Sequence, residues 1–226
     1  MSTTFGDKYG HYIDAICDLM ERVRYKIQKN ILLPAKSEMV IEKMYEQFDD
    51  FLPEKNSSVL DIGSQYGDYA IVCNKIYHAN VIAFEPLYRN YFMIEKFAKI
   101  NKANVTIYPF AIGIKDKFED IHVNSDKLTE TIHFVPLDYF NFKNVDLVKI
   151  DVEGFEMEVL ESGIETIKKY KPKIIIETHS FWLEKEVREK LKELGYECKH
   201  EYDWRKTLRG GIIVDLFFAQ KVIKNE

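Results

Sequence analysis

Two short stretches carry residues whose types and spacing can do chemistry. One is Asp61-Ile62-Gly63-Ser64-Gln65-Tyr66-Gly67-Asp68-Tyr69, led in by Val59-Leu60; the other is Glu85, which closes the apolar run Val81-Ile82-Ala83-Phe84. A strand ending in a glycine-containing turn, then a helix, then a strand ending in an acid is how a Rossmann-like sheet holds a nucleoside. Gly63 and Gly67 allow a tight turn and a close approach of backbone to ligand. Glu85 offers two acceptor oxygens to a pair of ribose hydroxyls. The turn departs from the dinucleotide fingerprint Gly-x-Gly-x-x-Gly, because Gln65 stands where a second glycine would let a pyrophosphate settle on backbone. Asp61 adds a carboxylate at the strand end, which repels a diphosphate and suits a cation. S-adenosylmethionine carries a sulfonium, an ammonium and a ribose with no phosphate, so the local electrostatics favour it over NAD.

Ligands of open α/β sheets bind beyond the carboxyl ends of the strands. Taken in order, those ends are Asp61, Glu85, Ala111, Asp151 with Glu153, and Glu177 with His179. Acids at such positions also serve helix N-termini, and a glycine turn beside Asp61 and Glu85 points instead to cofactor binding. Asp151-Val152-Glu153-Gly154-Phe155-Glu156 follows the strand Val148-Lys149-Ile150 and places Asp151 and Glu153 beside a bound methyl donor. Methyl transfer from a sulfonium is largely a matter of positioning the acceptor in line. An alcohol acceptor also loses a proton, for which His179 or Asp151 is the candidate base. Asp151, Glu153 and His179 are also of the types that hold Mg or Mn, although their spacing fixes no coordination geometry, so no metal is assigned.

The elements that position these residues follow from periodicity. Near-continuous apolar runs predict strands at 58–63, 80–85, 105–110, 146–151 and 173–179, of the kind buried on both faces of a parallel sheet. Helices are predicted at 67–77, 88–101, 155–169 and 184–194, the last closed by Gly195. Alternating stretches between 114 and 137 predict a β-hairpin insertion, and Tyr196–His200 with Gly211–Ala219 predict two closing strands that include an antiparallel edge. Ahead of the sheet, Tyr9, Tyr12, Ile13, Ile16, Met20, Val23 and Ile27 fall at helical spacing; after Pro34, so do Val40, Ile41, Met44, Tyr45 and Phe48. Residues 1–56 thus read as an N-terminal helical extension and 57–226 as the main α/β domain. The two leading helices either cover one side of the sheet or form a lid or a homodimer surface over the cofactor.

The chain has 226 residues, 46% hydrophobic and 31% charged, with a net charge of −5. That balance gives no electrostatic reason to expect a nucleic-acid substrate. Lys168, Lys169, Lys171 and Lys173 sit at a helix end and read as a solvated face. Cys17, Cys73 and Cys198 have neither metal-type nor disulfide-type spacing. The sequence shows no secretion signal and no run of membrane-spanning length, which predicts a cytoplasmic protein without a membrane span.

Taken together, the motifs Asp61 to Tyr69, Ala83-Phe84-Glu85-Pro86, Pro136-Leu137-Asp138-Tyr139, Lys149 to Gly154 with Glu156 and Leu160, and Pro172 with Ile176-Glu177-Thr178-His179 resemble the FkbM-type methyltransferases. The likeness spans about residues 57–180. It implies a class I methyltransferase fold, that is, a Rossmann-like, mostly parallel sheet with an antiparallel edge strand. It also implies S-adenosylmethionine as cofactor and methylation of hydroxyl oxygens on sugars, glycans or other small molecules. By the same resemblance, Asp61, Gly63, Ser64, Gln65, Tyr66, Gly67, Asp68 and Tyr69 contact the methionine end, and Glu85, with Pro86 after it, meets the ribose. Asp151 borders the cofactor as well. Gln65 replaces a frequent Asn, and no Asp follows the third strand to meet the adenine amine, which leaves Ala111 and backbone groups. A non-catalytic nucleoside-binding module would not need the rim acids. An NAD oxidoreductase would need the glycine that Gln65 replaces. A nucleic-acid methyltransferase would be expected to carry an Asn/Asp-Pro-Pro-aromatic clamp in place of Asp151-Val152-Glu153-Gly154.

Overall fold

The computed structural model describes residues 48–123, 128–203 and 215–222. The two leading helices expected ahead of the sheet, apart from Phe48 at the end of the second, the surface assigned to them, and Cys17 lie outside the described residues. Every β-rich run in the middle of the chain becomes a strand: β1 Ser58–Ile62, β2 Asn80–Phe84, β3 Val105–Tyr108, β4 Ala111–Ile112, β5 Lys117–Val123, β6 Leu128–Val135, β7 Leu147–Ile150, β8 Lys173–Thr178, β9 Tyr196–Asp203 and β10 Asp215–Lys221. Between them run α1 Asp68–Lys75, α2 Tyr88–Asn101, α3 Glu156–Ser162, α4 Ile164–Tyr170 and α5 Phe181–Glu193.

The main sheet has seven strands in the order β3-β2-β1-β7-β8-β10-β9. β3, β2, β1, β7 and β8 are parallel, whereas β10 runs antiparallel to both β8 and β9. The expected mixed α/β fold with a mostly parallel sheet and an antiparallel edge is therefore present. The strand order turns around at β1, whose two neighbours are β2 on one side and β7 on the other. A crevice opens at such a reversal, where the loops leaving the two strands diverge to opposite faces.

Both faces of the sheet are covered. Val59, Val81, Leu147 and Ile175 pack with Ile71, Val72, Met93 and Phe97 on one side. Leu60, Val148, Ile174 and Ile176 pack with Val159, Leu160, Val187 and Leu191 on the other. The apolar runs lack a period of two because successive side chains enter different cores and neither face is wet. Cys73 is buried in the first core and Cys198 is exposed on β9, both as free thiols. No helix among the described residues is long and apolar enough to cross a membrane.

Three elements differ from expectation. β3 ends at Tyr108, because Pro109 lacks the N–H a ladder needs, and the chain leaves for a second sheet of order β4-β6-β5. Ala111 therefore pairs with Phe134 in that small sheet instead of closing the third strand. The helix expected at 155–169 is two helices meeting at Gly163, where a Cβ would lie 2.7 Å from Leu137 Cδ2. The Asp138 carboxylate accepts from Glu165 N at 3.0 Å and Thr166 N at 2.8 Å, so it caps the second of them. α5 begins at Phe181, three residues earlier than its apolar stripe suggests, because the Ser180 hydroxyl accepts from Leu183 N at 3.2 Å.

Gly63, with φ +80°, sits where a Cβ would be 1.7 Å from the Asp151 carbonyl oxygen. Its lack of a side chain is thus required by the seam between β1 and β7 before any ligand is considered. Gly63→Ala should cost about 3 kcal/mol or more in urea denaturation of the ligand-free protein, since both the clash and the left-handed backbone disfavour it. Wild-type stability in that variant would remove the seam argument.

Candidate functional site

The switch point is built from charges that the strand register brings together. Asp61 lies opposite Ala83 on β2 and opposite Lys149 on β7, so Asp61 and Lys149 project side by side from one face of the sheet. Asp61 is fully buried, and neither carboxylate oxygen has a hydrogen-bond partner. Its countercharge is Lys149 Nζ, 3.5 Å from Oδ1. The same ammonium donates to the Gly63 carbonyl at 3.1 Å and to Asp151 Oδ2 at 3.2 Å. Burial pulls the Lys149 pKa down, but Asp151, Asp61 and Glu177 more than offset it, and the ammonium stays charged. Lys149 is the residue that sequence reasoning missed. Its signal was a lysine inside the apolar run of a doubly buried strand, one place across from an acid. The cation that Asp61 was expected to attract from a ligand is supplied by the protein.

Above this pair four amides of the turn from Gly63 to Gly67 are bonded within the protein. Gly63 N and Ser64 N both donate to the Phe84 carbonyl, at 3.0 and 3.1 Å, and Gly67 N donates to the Ser64 carbonyl at 2.7 Å. Gln65, held at φ +51°, turns its N–H onto Glu85 Oε2 at 2.8 Å. Four amides that a pyrophosphate would need are therefore committed within the protein. The Ser64 hydroxyl donates to the Asp61 carbonyl at 2.9 Å. Gly67, the left-handed cap of α1, presses on Ile94, whose Cγ2 a Cβ would approach to 2.7 Å. Of the remaining turn candidates, Gln65 is exposed, Tyr66 and Asp68 are half-buried, and Tyr69 is packed into the core. Tyr69 thus supports the turn from below.

Glu85 is buried beside the turn, and Pro86 after it is half-buried. Its Oε1 accepts from Leu87 N at 3.0 Å and Asn90 Nδ2 at 3.2 Å. Burial pushes the carboxyl from its usual 4.5 up to about 7, against the lowering effect of the bonds from Leu87, Asn90 and Gln65. Oε2 takes one donor from the protein, which leaves it acceptor capacity for a ligand hydroxyl.

On the other side of the crevice the ends of β7 and β8 converge on His179. Its Nδ1 meets Glu156 Oε1 at 3.0 Å. Its Nε2 faces Glu153 Oε2 at 3.5 Å, Asp151 Oδ1 at 3.6 Å and Glu177 Oε1 at 3.7 Å. Asp151, Glu153, Glu177 and His179 thus meet at this rim, with Glu156 added from the start of α3. Burial would lower the His179 pKa, but the Glu156 bond and the charges of Asp151, Glu153 and Glu177 push it up to about 9. The ring therefore holds its proton at neutral pH, which runs against the base role expected of His179 and leaves the carboxylates as proton acceptors. Glu153 sits at φ +53° with a side chain 79% exposed, at the open edge. Just beyond Ser180, Phe181 and Trp182 are 53% and 73% exposed and meet edge to face at 5.9 Å.

Comparison with known proteins bears on the family and the fold. Residues 61–198 match the FkbM methyltransferase domain family. The hexuronic acid methyltransferase AglP of Haloferax volcanii is 27% identical over 156 residues, a match covering 62% of this chain and 63% of that protein's length. Precorrin-6y C5,15-methyltransferase of Geobacter metallireducens superposes with a TM-score of 0.54 at 14% identity, over 90% of this chain and 96% of that one. The FkbM methyltransferase of Methylobacillus flagellatus gives 0.53 at 15% identity, over 95% and 60%. A putative tRNA (m1A22) methyltransferase of Streptococcus pneumoniae, in complex with S-adenosyl-L-methionine, gives 0.55 at 16% identity, over 81% and 75%. At these identities the structural likeness is one of fold.

The buried pair yields a prediction. Lys149→Met strands Asp61 as an uncompensated buried charge and should cost about 3–5 kcal/mol of stability. Asp61→Asn should cost less, because Lys149 keeps Asp151. The double variant should be more stable than Lys149→Met alone, a non-additivity that urea denaturation reads directly.

Proposed function

Because the chain belongs to the FkbM methyltransferase family, we propose that it transfers a methyl group from S-adenosylmethionine to a hydroxyl oxygen of a sugar, glycan precursor or similar small molecule. The observation that supports this cofactor is the committed turn beside a buried acid. The amides of Gly63, Ser64, Gln65 and Gly67 are spent on protein acceptors, which disfavours a diphosphate such as NAD. Glu85 keeps an acceptor for a ribose, and Gln65, which is exposed, lies in the turn where the methionine end is expected. A nucleoside without phosphates fits this donor and acceptor inventory. When bound, it supplies an electrophilic methyl on a sulfonium.

The protein's own residues then do three things. Glu85 and the turn fix the cofactor's orientation, which is most of what an in-line displacement requires. Asp151 and Glu153 accept the hydrogen bond of the incoming hydroxyl, and Glu153, at the open edge, takes its proton as the oxygen–carbon bond forms and the carbon–sulfur bond breaks. Phe181 and Trp182 offer exposed aromatic faces beside His179 on which a sugar ring can stack. Tyr66 and Tyr69 pack against the core and offer no such face. A sugar acceptor agrees with the acidic chain and with the substrate in the name of the Haloferax relative. Nucleic acid is disfavoured as acceptor by the same net charge.

Three outcomes test this reading. S-adenosylhomocysteine should bind at micromolar strength by calorimetry, with no measurable binding of NADH. Ribose hydroxyls bond best to an ionised carboxylate, so binding favours deprotonated Glu85, whose pKa is about 7. Affinity should rise about tenfold from pH 6 to pH 8. Glu85→Gln should flatten that profile and weaken binding about tenfold or more. In a mass-spectrometric panel of sugars, polyols, amines and polynucleotides, methyl addition should fall on hydroxyl acceptors, and Trp182→Ala should raise acceptor KM several-fold without changing cofactor affinity. Addition only to amines or polynucleotides would overturn the acceptor while leaving the cofactor standing.

A further inference from the structure

His179 is arranged as a ligand more than as an ordinary ion-pair partner. Glu156 is fully buried at the start of α3; its Oε1 bonds His179 Nδ1, while its Oε2 has no hydrogen-bond partner. A buried carboxylate on one imidazole nitrogen fixes the ring and turns the other nitrogen outward, the arrangement that raises a histidine's basicity toward a metal. Nε2 then faces Glu153 Oε2 at 3.5 Å, Asp151 Oδ1 at 3.6 Å and Glu177 Oε1 at 3.7 Å, all beyond ordinary hydrogen-bond length. Two ligand atoms on one cation, each about 2.1 Å from it, lie roughly 3.0–3.4 Å apart for octahedral to tetrahedral angles. The gaps from Nε2 to Asp151 and Glu177 reach the upper end of that range with about 0.2–0.3 Å of side-chain movement.

We propose that Asp151, Glu177 and His179 hold a divalent cation on the acceptor side of the crevice. One ligand atom from each lies within 4.8 Å of those of the other two. Asp151 contributes Oδ1 while Oδ2 stays with Lys149, and the cation takes the place of the proton on Nε2. Two carboxylate oxygens and one imidazole nitrogen suit Mn²⁺ or Mg²⁺ with open positions for water or an acceptor oxygen. Glu177 displaces Glu153 from the set that the sequence suggested: Glu153 Oε2 is the nearer to Nε2, at 3.5 against 3.7 Å, but its side chain is largely in solvent, whereas Glu177 is buried within the sheet beside His179. Glu153 remains to take the acceptor's proton. The cation would draw a hydroxyl or carboxylate of the acceptor toward a rim that otherwise repels anions. Glu156 is a positioning residue in this scheme.

The test uses the full chain, stripped with EDTA, without cofactor or acceptor, so its result is separable from the fate of the methyl-transfer reading. Titration with MnCl₂, followed by the electron paramagnetic resonance of free Mn²⁺, should show one saturable site per chain. Pulsed resonance of the bound ion should show the modulation of an imidazole nitrogen, a readout that needs no variant. Glu177→Gln and His179→Ala should each weaken binding more than tenfold, and Glu156→Gln about tenfold, whereas Glu153→Gln should change it less than threefold. Absence of saturable binding at millimolar Mn²⁺, absence of nitrogen modulation, or equal affinity in folded Glu177→Gln would each overturn the proposal.

Discussion

The arrangement of the crevice depends on one buried ammonium. Lys149 stands in the middle of a strand whose neighbours are all apolar, and by itself it would be a costly residue there. It is held because β1 delivers Asp61 at the same register and β7 turns Asp151 back toward it. Removing two opposite charges from water is repaid only when their geometry is close and their other bonds are satisfied. The third bond, to the Gly63 carbonyl, ties that balance to the turn. Together with the Gly63–Asp151 contact, it fixes how β1 and β7 part at their carboxyl ends.

From that seam the carboxylates divide their work according to partner and burial. Asp61 and one oxygen of Asp151 answer Lys149. Glu85 is held by backbone amides and an asparagine, and burial makes its ionisation costly unless a ligand donates to it. Glu156 and Glu177 belong to His179. Glu153 alone of this group stands largely in solvent on a strained backbone, as residues at working edges often do. Six acids of two chemical types thus have at least four roles, and none of those roles is a property of the side chain in isolation.

The motifs of the family mix ligand-facing residues with frame. Pro136 to Tyr139 reads like a site signature, yet Asp138 caps α4 and Leu137 is the side chain against which Gly163 must remain bare. Gly67 is required by Ile94, and Ser64 spends its hydroxyl on the Asp61 carbonyl. A motif of this kind marks the joints of the crevice, and only part of it touches what the crevice holds.

The sequence by itself determined the order and type of the parallel strands, the helices α1 and α2, the hairpin insertion and the antiparallel ending. Those follow from local periodicity and from side chains that must be buried on two faces. It also brought Asp61, Glu85, Asp151, Glu177 and His179 to one edge, since strand ends are readable one strand at a time. Capping lay at the limit of that reading: Ser180 started α5 early and Gly163 divided a helix, each through a contact the apolar stripe does not encode. Tertiary structure decided the partnerships. Whether Lys149 neutralises Asp61 and why Gly63 must be glycine depend on register between β1 and β7, whose residues meet 86 or more positions apart in the chain, and which carboxylates meet His179 depends on how β7 and β8 pair. Pairing across strands is set by the packing of the whole sheet, and no local pattern of residues specifies it.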